Sequence, residues 1–379
     1  MSKKPVVRLV HVVTAAALAG GIEPMEAHTG SRGWSGVVAV LGVAAWAAVL
    51  PADARGGWGD WFVDGPGQPA EACESYALVE ALAMQRAPGP GGPLAIDTDT
   101  QLPVISADEL QFAMAPGLRV LYGRHGPGGL GWEVGYVGVY GMVADSVVSG
   151  TGNLEIAPFL GDGVTGFRDA TLAAAKYTSA FDSVEANVLL TRQNWRPERV
   201  SAYPHEAATR IISWDWLAGF RWAGLTEAAD VTMTRASGLA STYGVRTNNN
   251  LFGGQLGFRG RVDWGLWALD GWLKAALAGT AAAQSQAPIV DSVTGDPFRP
   301  GWASTASDVG GICDIDLAVS RRINETWAVR VGWNSIWLTG VALATDQFDF
   351  ANSGAPGSGI ADGGTLWLNG VSLGVEGRW

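Results

Sequence analysis

Between residues 326 and 338 this chain alternates strictly: Trp327, Val329, Val331, Trp333, Ser335 and Trp337 fall on one parity, Ala328, Arg330, Gly332 and Asn334 on the other. Successive side chains of a strand point to opposite faces, so this segment is a strand with one oily and one polar side. The partition recurs along the chain. In 264–277, Trp267, Leu269, Leu273, Ala275 and Leu277 oppose Asp270 and Lys274. In 312–322, Ile315, Leu317 and Val319 oppose Asp314, Asp316, Ser320 and Arg322. In 181–190, Val184, Val188 and Leu190 oppose Glu185 and Asn187; in 212–222, Trp214, Trp216, Phe220 and Trp222 oppose Asp215 and Arg221. The last stretch keeps the rule, with Trp367, Val371, Leu373, Val375 and Trp379 against Ser372, Glu376 and Arg378.

Alternation alone fits a soluble sandwich as well as a membrane wall. The 18 tryptophans decide. That many indoles would overfill one sandwich core, whereas Trp gathers at the two rims of a bilayer. From Trp327 to Trp337 the strand runs roughly 33 Å at about 3.3 Å per residue. A tilt of about 40° leaves roughly 25 Å along the membrane normal, the height of a barrel's apolar band. The sequence therefore predicts an all-β fold: a closed antiparallel transmembrane β-barrel with oily side chains outward and charged ones inward on every rung. Ten strands are expected, at about 75–84, 112–124, 131–142, 179–193, 211–232, 242–260, 264–282, 309–322, 326–343 and 364–379. Gaps between them sort into long outer loops and short periplasmic turns, except the long connection 194–210. A hidden hairpin there or in 143–178 would raise the count to twelve. An open edge in lipid would strand backbone groups, so the last strand is expected to pair with the first.

The front of the chain reads as a targeting segment. Arg32 precedes an apolar run from Val37 to Leu50, Pro51 breaks it, and Ala52-Asp53-Ala54 offers a cleavage site. This is the plan of a secretory signal peptide, too short to span a bilayer comfortably. Met25 stands a normal signal length before the cut, so residues 1–24 read as an over-extended start. The expected organisation is a cleaved segment 1–54, a Gly/Pro-rich lead-in 55–73 and a barrel 74–379. A formal charge of −11 without a basic stripe excludes nucleic acid as a partner. Cys73 and Cys313 are too few for a disulfide scaffold or a four-cysteine zinc site, and one bridge or two free thiols both satisfy the sequence.

Several strings imitate catalytic or binding motifs. Gly370-Val-Ser-Leu-Gly374 spells G-x-S-x-G, but a nucleophile elbow needs a helix after its turn, and only five residues follow. Gly126 to Gly131 spells G-x-G-x-x-G, but an alternating strand follows in place of a phosphate-binding helix. Asp314 and Asp316 share a strand face where basic neighbours are the expected partners, and Asp97-Thr-Asp-Thr100 sits in a long loop. His125 and His205 fall in predicted turns, and Asn324-Glu-Thr326 in a tight one. No catalytic residues, cofactor or metal are therefore expected, and the chain is read as a non-enzyme.

The stretches YGVRTNNNLFGGQLGFRG (243–260), WALDGWLKAALAGTAAAQSQ (267–286) and WAVRVGWNSIWLTGVALATDQFDF (327–350) carry a family resemblance. LAGFRWAGLTE (217–227) and the pair 115–142 fit it too. The chain resembles bacterial outer-membrane proteins of β-barrel porin family 7. The resemblance covers most of 55–379 and carries no catalytic residues. It implies location in the bacterial outer membrane. The terminal aromatic is similar to the closing strands that the barrel-assembly machinery of that membrane recognises.

By parity, the lumen is expected to receive Glu80, Arg119, Glu133, Glu185, Asp215, Arg221, Arg259, Asp270, Lys274, Asp314, Asp316, Arg330, Glu376 and Arg378. Lipid-facing aromatics are expected at Trp214, Trp216, Phe220, Trp222, Trp327, Trp333, Trp337, Trp367 and Trp379. A barrel of this size is near the width that side chains fill. The leading expectation is a narrow passive pore for small hydrophilic solutes; the alternative is a plugged barrel serving as an anchor or a platform for its outer loops. The expected partners are outer-membrane lipid and such solutes, and the oligomeric state is not written in the sequence.

Overall fold

The computed structural model describes residues 74–126, 129–157, 160–191, 211–355, 357 and 359–379. The expected signal segment, the lead-in with Cys73, and the 194–210 connection with His205 lie outside the described residues. The strands are β1 (Glu74–Arg86), β2 (Pro93–Asp97), β3 (Leu102–Ser106), β4 (Ala115–His125), β5 (Leu130–Ile156), β6 (Ala170–Thr191), β7 (Ile211–Arg235), β8 (Ala240–Trp264), β9 (Trp267–Gln286), β10 (Ile289–Val290), β11 (Pro297–Arg299), β12 (Trp302–Arg322), β13 (Trp327–Val341) and β14 (Gly364–Arg378). No described helix is long and apolar enough to cross a membrane.

Ten of these strands form the wall, in the order β1-β4-β5-β6-β7-β8-β9-β12-β13-β14. The sheet curls shut because β1 pairs antiparallel with β14, from Tyr76 opposite Arg378 to Arg86 opposite Leu368. The seam continues to the chain end: the Ser75 amide donates to the Trp379 carbonyl at 2.8 Å, and the Trp379 amide returns a bond to Ser75 at 2.9 Å. Closure leaves the wall without an edge, as hydrocarbon requires. Among the described residues no hidden hairpin lies within 143–178. Instead β5 runs on to Ile156 and β6 starts at Ala170. The small hairpin β2–β3 lies in the first outer loop and adds to the upper end of β5 through Ala95, Ile96 and Asp97.

The wall is uneven in height. Strands β7 and β8 have 25 residues each, and β5 has 27, whereas β4 has 11 and β1 has 13. A 25-residue strand tilted by about 40° stands roughly 60 Å tall, more than twice an apolar band of about 25 Å. The tall strands therefore rise well above the membrane on the outer side.

There the polarity of the wall inverts, which corrects the expectation of charged-inward on every rung. Low on β7, Asp215 and Arg221 point inward and Trp216 and Phe220 outward. High on the same strand, Leu225, Val231 and Met233 are buried inside, while Thr226, Asp230 and Thr232 face out. Strand β8 does the same: Gln255 is inside and Leu256 and Phe258 outside near the base, but Tyr243 and Val245 are inside and Arg246 and Asn248 outside near the top. The side facing hydrocarbon must be apolar, and above the membrane the side facing water must be polar. One period-2 pattern serves both environments by exchanging its faces once.

The apolar interior of this upper crown joins the outer loops in one core. It includes Phe112 from the β1–β4 loop, Leu160 and Phe167 from 157–169, Ile289, and Leu343 and Ala344 from the loop between β13 and β14. Gly141 (φ +71°) and Gly340 (φ +72°) sit at register shifts in the pairing of β5 and β13. Both need a left-handed conformation that a side chain disfavours.

Candidate functional site

Within the membrane-spanning half the inward residues are charged and interlocked. Arg119 of β4 reaches Glu80 of β1 at 3.3 Å and, across the lumen, Asp316 of β12 at 3.1 Å; it also contacts Asn334. Arg330 of β13 bridges Glu80 and Asp316 and donates through Nε to Asp270 at 2.9 Å. Arg221 of β7 donates to Asp314 at 3.0 Å and to Ser183 at 2.9 Å. Gln255 of β8 gives its amide protons to Glu185 and Asn187, each at 2.8 Å. Lys274 of β9 lies between Glu185 and Glu133, the latter at 3.1 Å. Glu133 of β5 then accepts from Arg259 of β8 at 2.5 Å and from the Tyr76 hydroxyl at 2.6 Å. Arg259 also donates to Tyr76 Oη at 2.8 Å, joining β8 to the diametrically opposite β1. Strand β14 adds Ser372, whose hydroxyl donates to Glu80 at 3.0 Å. Every wall strand thus contributes to one lattice that crosses the lumen.

At its centre stands a side chain that parity places inside but that tryptophan content alone assigns to the outer belt. Trp272 is buried among the guanidinium groups of Arg119, Arg259 and Arg330 and the Lys274 ammonium, at 4.9, 5.4, 5.1 and 5.0 Å from its ring. Its indole N–H donates to Asp314 at 3.2 Å. Four cations on one ring exploit the negative face of its π-system. The signal was available: Trp272 shares parity with Asp270 and Lys274. Tyr76, Ser183, Asn187, Gln255, Asn334 and Ser372 join the lattice on the same grounds, being inward polar residues between charged ones.

Glu80, Arg119, Glu133, Glu185, Asp215, Arg221, Lys274, Asp314, Asp316, Arg330 and Glu376 are buried within the wall, and Arg259 and Asp270 reach the lattice half-buried. Asp215 meets His125 at 3.4 Å near the periplasmic end. Arg378 is the outlier: it pairs with Glu376 at the mouth with its side chain 40% exposed. There a cavity of about 320 Å³ opens, bounded in part by Arg261, Asp263, Arg322, Glu376 and Arg378. On the outer face, Trp216, Phe220, Trp327, Trp333, Trp367 and Trp379 are exposed, and Trp214, Trp222 and Trp337 are half-buried. Trp337 and Trp367 stack with ring centres 5.8 Å apart, and Trp222 donates to Asn250 at 3.3 Å. Cys313, a free thiol, lies directly opposite Trp337 on the outward parity of β12.

The imitation motifs have structural explanations. A Cβ on Gly370 would come within 2.0 Å of the Ala83 carbonyl oxygen, and one on Gly374 within 2.4 Å of that of Val79. Both glycines of the G-x-S-x-G string thus permit close approach of β14 to β1, and its serine serves Glu80. Gly126 closes the hairpin into β5 by donating to the Leu130 carbonyl at 2.8 Å. Asp97 caps its own turn, accepting from Asp99 at 2.8 Å and Thr100 at 3.1 Å. Asn324 does likewise for Thr326 and Trp327.

Residues 172–379 match the family described as Putative beta barrel porin-7 (BBP7). No curated protein matches the chain. Among solved structures, it is similar to the outer membrane protease OmpT from Escherichia coli, at 9% identity and a TM-score of 0.41, covering 81% of this chain and 96% of that one. It is also similar to the P. putida toluene transporter TodX (8% identity, TM-score 0.18, covering 82% and 90%). A third is an anion-selective porin from Comamonas acidovorans (12% identity, TM-score 0.14, covering 81% and 99%).

Proposed function

Since this chain belongs to the BBP7 family of outer-membrane β-barrels, we propose that it works there as a closed, non-enzymatic barrel: a membrane anchor that holds its outer crown and loops at the cell surface. The observation that carries this reading is the buried lattice from Glu80 through Arg330, Asp316, Arg119, Asp314, Arg221, Gln255, Glu185, Lys274 and Glu133 to Arg259 and Tyr76. Its members pair across the full width of the lumen, where a passive pore needs a continuous column of water. Ten strands enclose an interior near the size that side chains fill, and above the lattice the crown adds a packed layer of apolar side chains around the paired Arg86 and Glu227. This pairing favours the plugged alternative over the narrow pore that strand number and a lining of mixed charge suggest. Lipid surrounds the belt; in this reading the barrel carries no flux of small hydrophilic solutes, and the assembly machinery is the expected partner in biogenesis.

Planar-bilayer recording of the purified full-length barrel tests this. The expected result is insertion without conductance steps at neutral pH. Stable single-channel conductance from the wild-type protein overturns the closed reading and restores the pore.

A further inference from the structure

The segment between β13 and β14 does more than connect them. It leaves the wall after Val341 and turns into the crown, burying Ala342, Leu343 and Ala344. Residues 342–355 form a strap whose backbone is gripped by side chains of the wall and of the β10–β11 loop hairpin. Asn249 of β8 clamps Ala342 on both sides, accepting from its amide at 2.7 Å and donating to its carbonyl at 2.9 Å. Glu227 of β7 accepts from the Ala344 amide at 3.0 Å. The Tyr243 hydroxyl accepts from the Asp349 amide at 3.1 Å. Arg299 donates to the carbonyls of Asp349, Ala351 and Ser353 at 2.8, 2.5 and 2.9 Å. Phe348 and Phe350 stack on each other and meet the Tyr243 ring edge-on. A strap held by separate side-chain clamps, with no ladder of its own, can leave its seat as a unit.

One residue of the strap does not suit that seat. Asp346 lies half-buried beside the Glu227 carboxylate. The charged groups facing it are Glu227 of β7 and Arg86 of β1, with the Tyr177 hydroxyl of β6 bonded to both. Arg86 reaches Glu227 at 2.9 Å and Tyr177 at 2.7 Å through Nη2 alone and is sandwiched between the Phe112 and Tyr177 rings, while its buried Nε and Nη1 have no partner among the described residues. Glu227 is fully engaged by Arg86, Tyr177, Ser179 and the Ala344 amide. The Asp346 carboxylate accepts no hydrogen bond among the described residues, and the anion that acts on it, Glu227, is the group that anchors the strap.

We propose that residues 342–355 form a hinged latch over the crown, held in its seat when Asp346 carries a proton and loosened when it does not. Burial first, and then Glu227, push the Asp346 carboxyl up to about 6, against the pull of Arg86. The detached strap returns this carboxyl to its ordinary value of about 3.9. The seated form thus binds the proton more tightly. The seat is strongest below pH of about 4, weakens as the pH rises towards about 6, and is weakest above it. A displacement of about two pH units caps the change in seating equilibrium at about 100-fold. Solvent screening of a half-exposed carboxyl brings the expected change nearer tenfold. This latch lies above the lattice and operates whether or not the lumen below it conducts.

The test is a distance measurement by pulsed electron resonance on the full-length barrel in lipid vesicles. Spin labels are placed through Ser353→Cys on the strap and Ser237→Cys on the β7–β8 turn, with Cys73→Ser and Cys313→Ser removing other thiols. Between pH 4.5 and 7.5 a second, longer distance should gain about tenfold relative to the seated one. Asp346→Asn should keep the seated distance at both pH values. Asn249→Ala, which removes the Ala342 clamp, should populate the longer distance at both. The same distribution at both pH values, or a pH response surviving in Asp346→Asn, overturns the latch. So does a strap that stays seated in Asn249→Ala.

Discussion

At the scale of single residues, the outer loops are joined by groups whose charge state matters. The Asp291 carboxylate, just after β10, accepts the amides of Thr165 at 2.9 Å, Gly166 at 3.1 Å and Val293 at 2.9 Å. It thereby staples the 287–301 loop to the 157–169 turn. Desolvation pushes this carboxyl up, but the hydrogen bonds from Val293 and Thr165 outweigh it and hold the group below the usual carboxylate range. A depressed value means that the staple stabilises fully above the unfolded value of about 3.9 and fades as pH falls through the folded one. Asp291→Asn should therefore cost about 1–2 kcal/mol at pH 6. After correction for intrinsic rates, hydrogen exchange at the Thr165 and Gly166 amides should accelerate in the variant at pH 6. The difference from wild type should shrink by pH 3. Equal protection in both proteins at pH 6 would sink the staple.

At the scale of the element, the exchange of faces along each long strand is the organising feature. On β9, Leu273 and Ala281 share the outward face, but Leu273 lies in the belt and Ala281 above it. Leu273→Arg should cost about 2–4 kcal/mol, as a cation near the bilayer midplane does. Ala281→Arg should stay within about 0.5 kcal/mol, as exposed surface changes usually do. Denaturant unfolding in vesicles would measure both, and equal costs would place the membrane boundary elsewhere. Strand existence and parity were legible because a period of two needs no tertiary information. Expected and observed strands differ chiefly at their outer ends: β6 begins at Ala170 where 179 was expected, and β12 at Trp302 where 309 was expected. Those ends carry the inverted pattern, so a search for oily-outward rungs stops where the membrane does.

At the scale of the molecule, two barriers stand in series: the charged lattice within the membrane and the packed, largely apolar crown above it. Burying paired charges often contributes little stability compared with apolar packing, so the lattice acts chiefly to fill and shape the lumen. Arg119→Ser with Asp316→Ser removes one cation and one anion, which leaves Glu80 with Arg330 and Asp314 with Arg221. Adding Trp272→Ser opens the centre. At pH 4.5, where the strap is seated, this triple variant should stay silent in planar bilayers, as should deletion of strap residues 343–355 by itself. Only the two together are expected to conduct. Conductance from the triple variant alone would show that the crown is no seal.

Much of this protein follows from local pattern. The alternating strands, the aromatic belt, the lumenal parity of Glu80, Arg119 and Lys274, and the decoy nature of Gly370–Gly374 are all consequences of a period of two and of chain order. Which charges meet is not local. Arg259 finds Tyr76 across 183 positions of sequence because closure brings β8 opposite β1. Whether the lumen is open or filled depends on how long side chains from opposite walls interdigitate, a matter of a few ångströms that no periodicity encodes. The crown's inversion likewise depends on where the bilayer ends. Sequence set the faces of each strand; the curvature of the closed sheet decided what those faces touch.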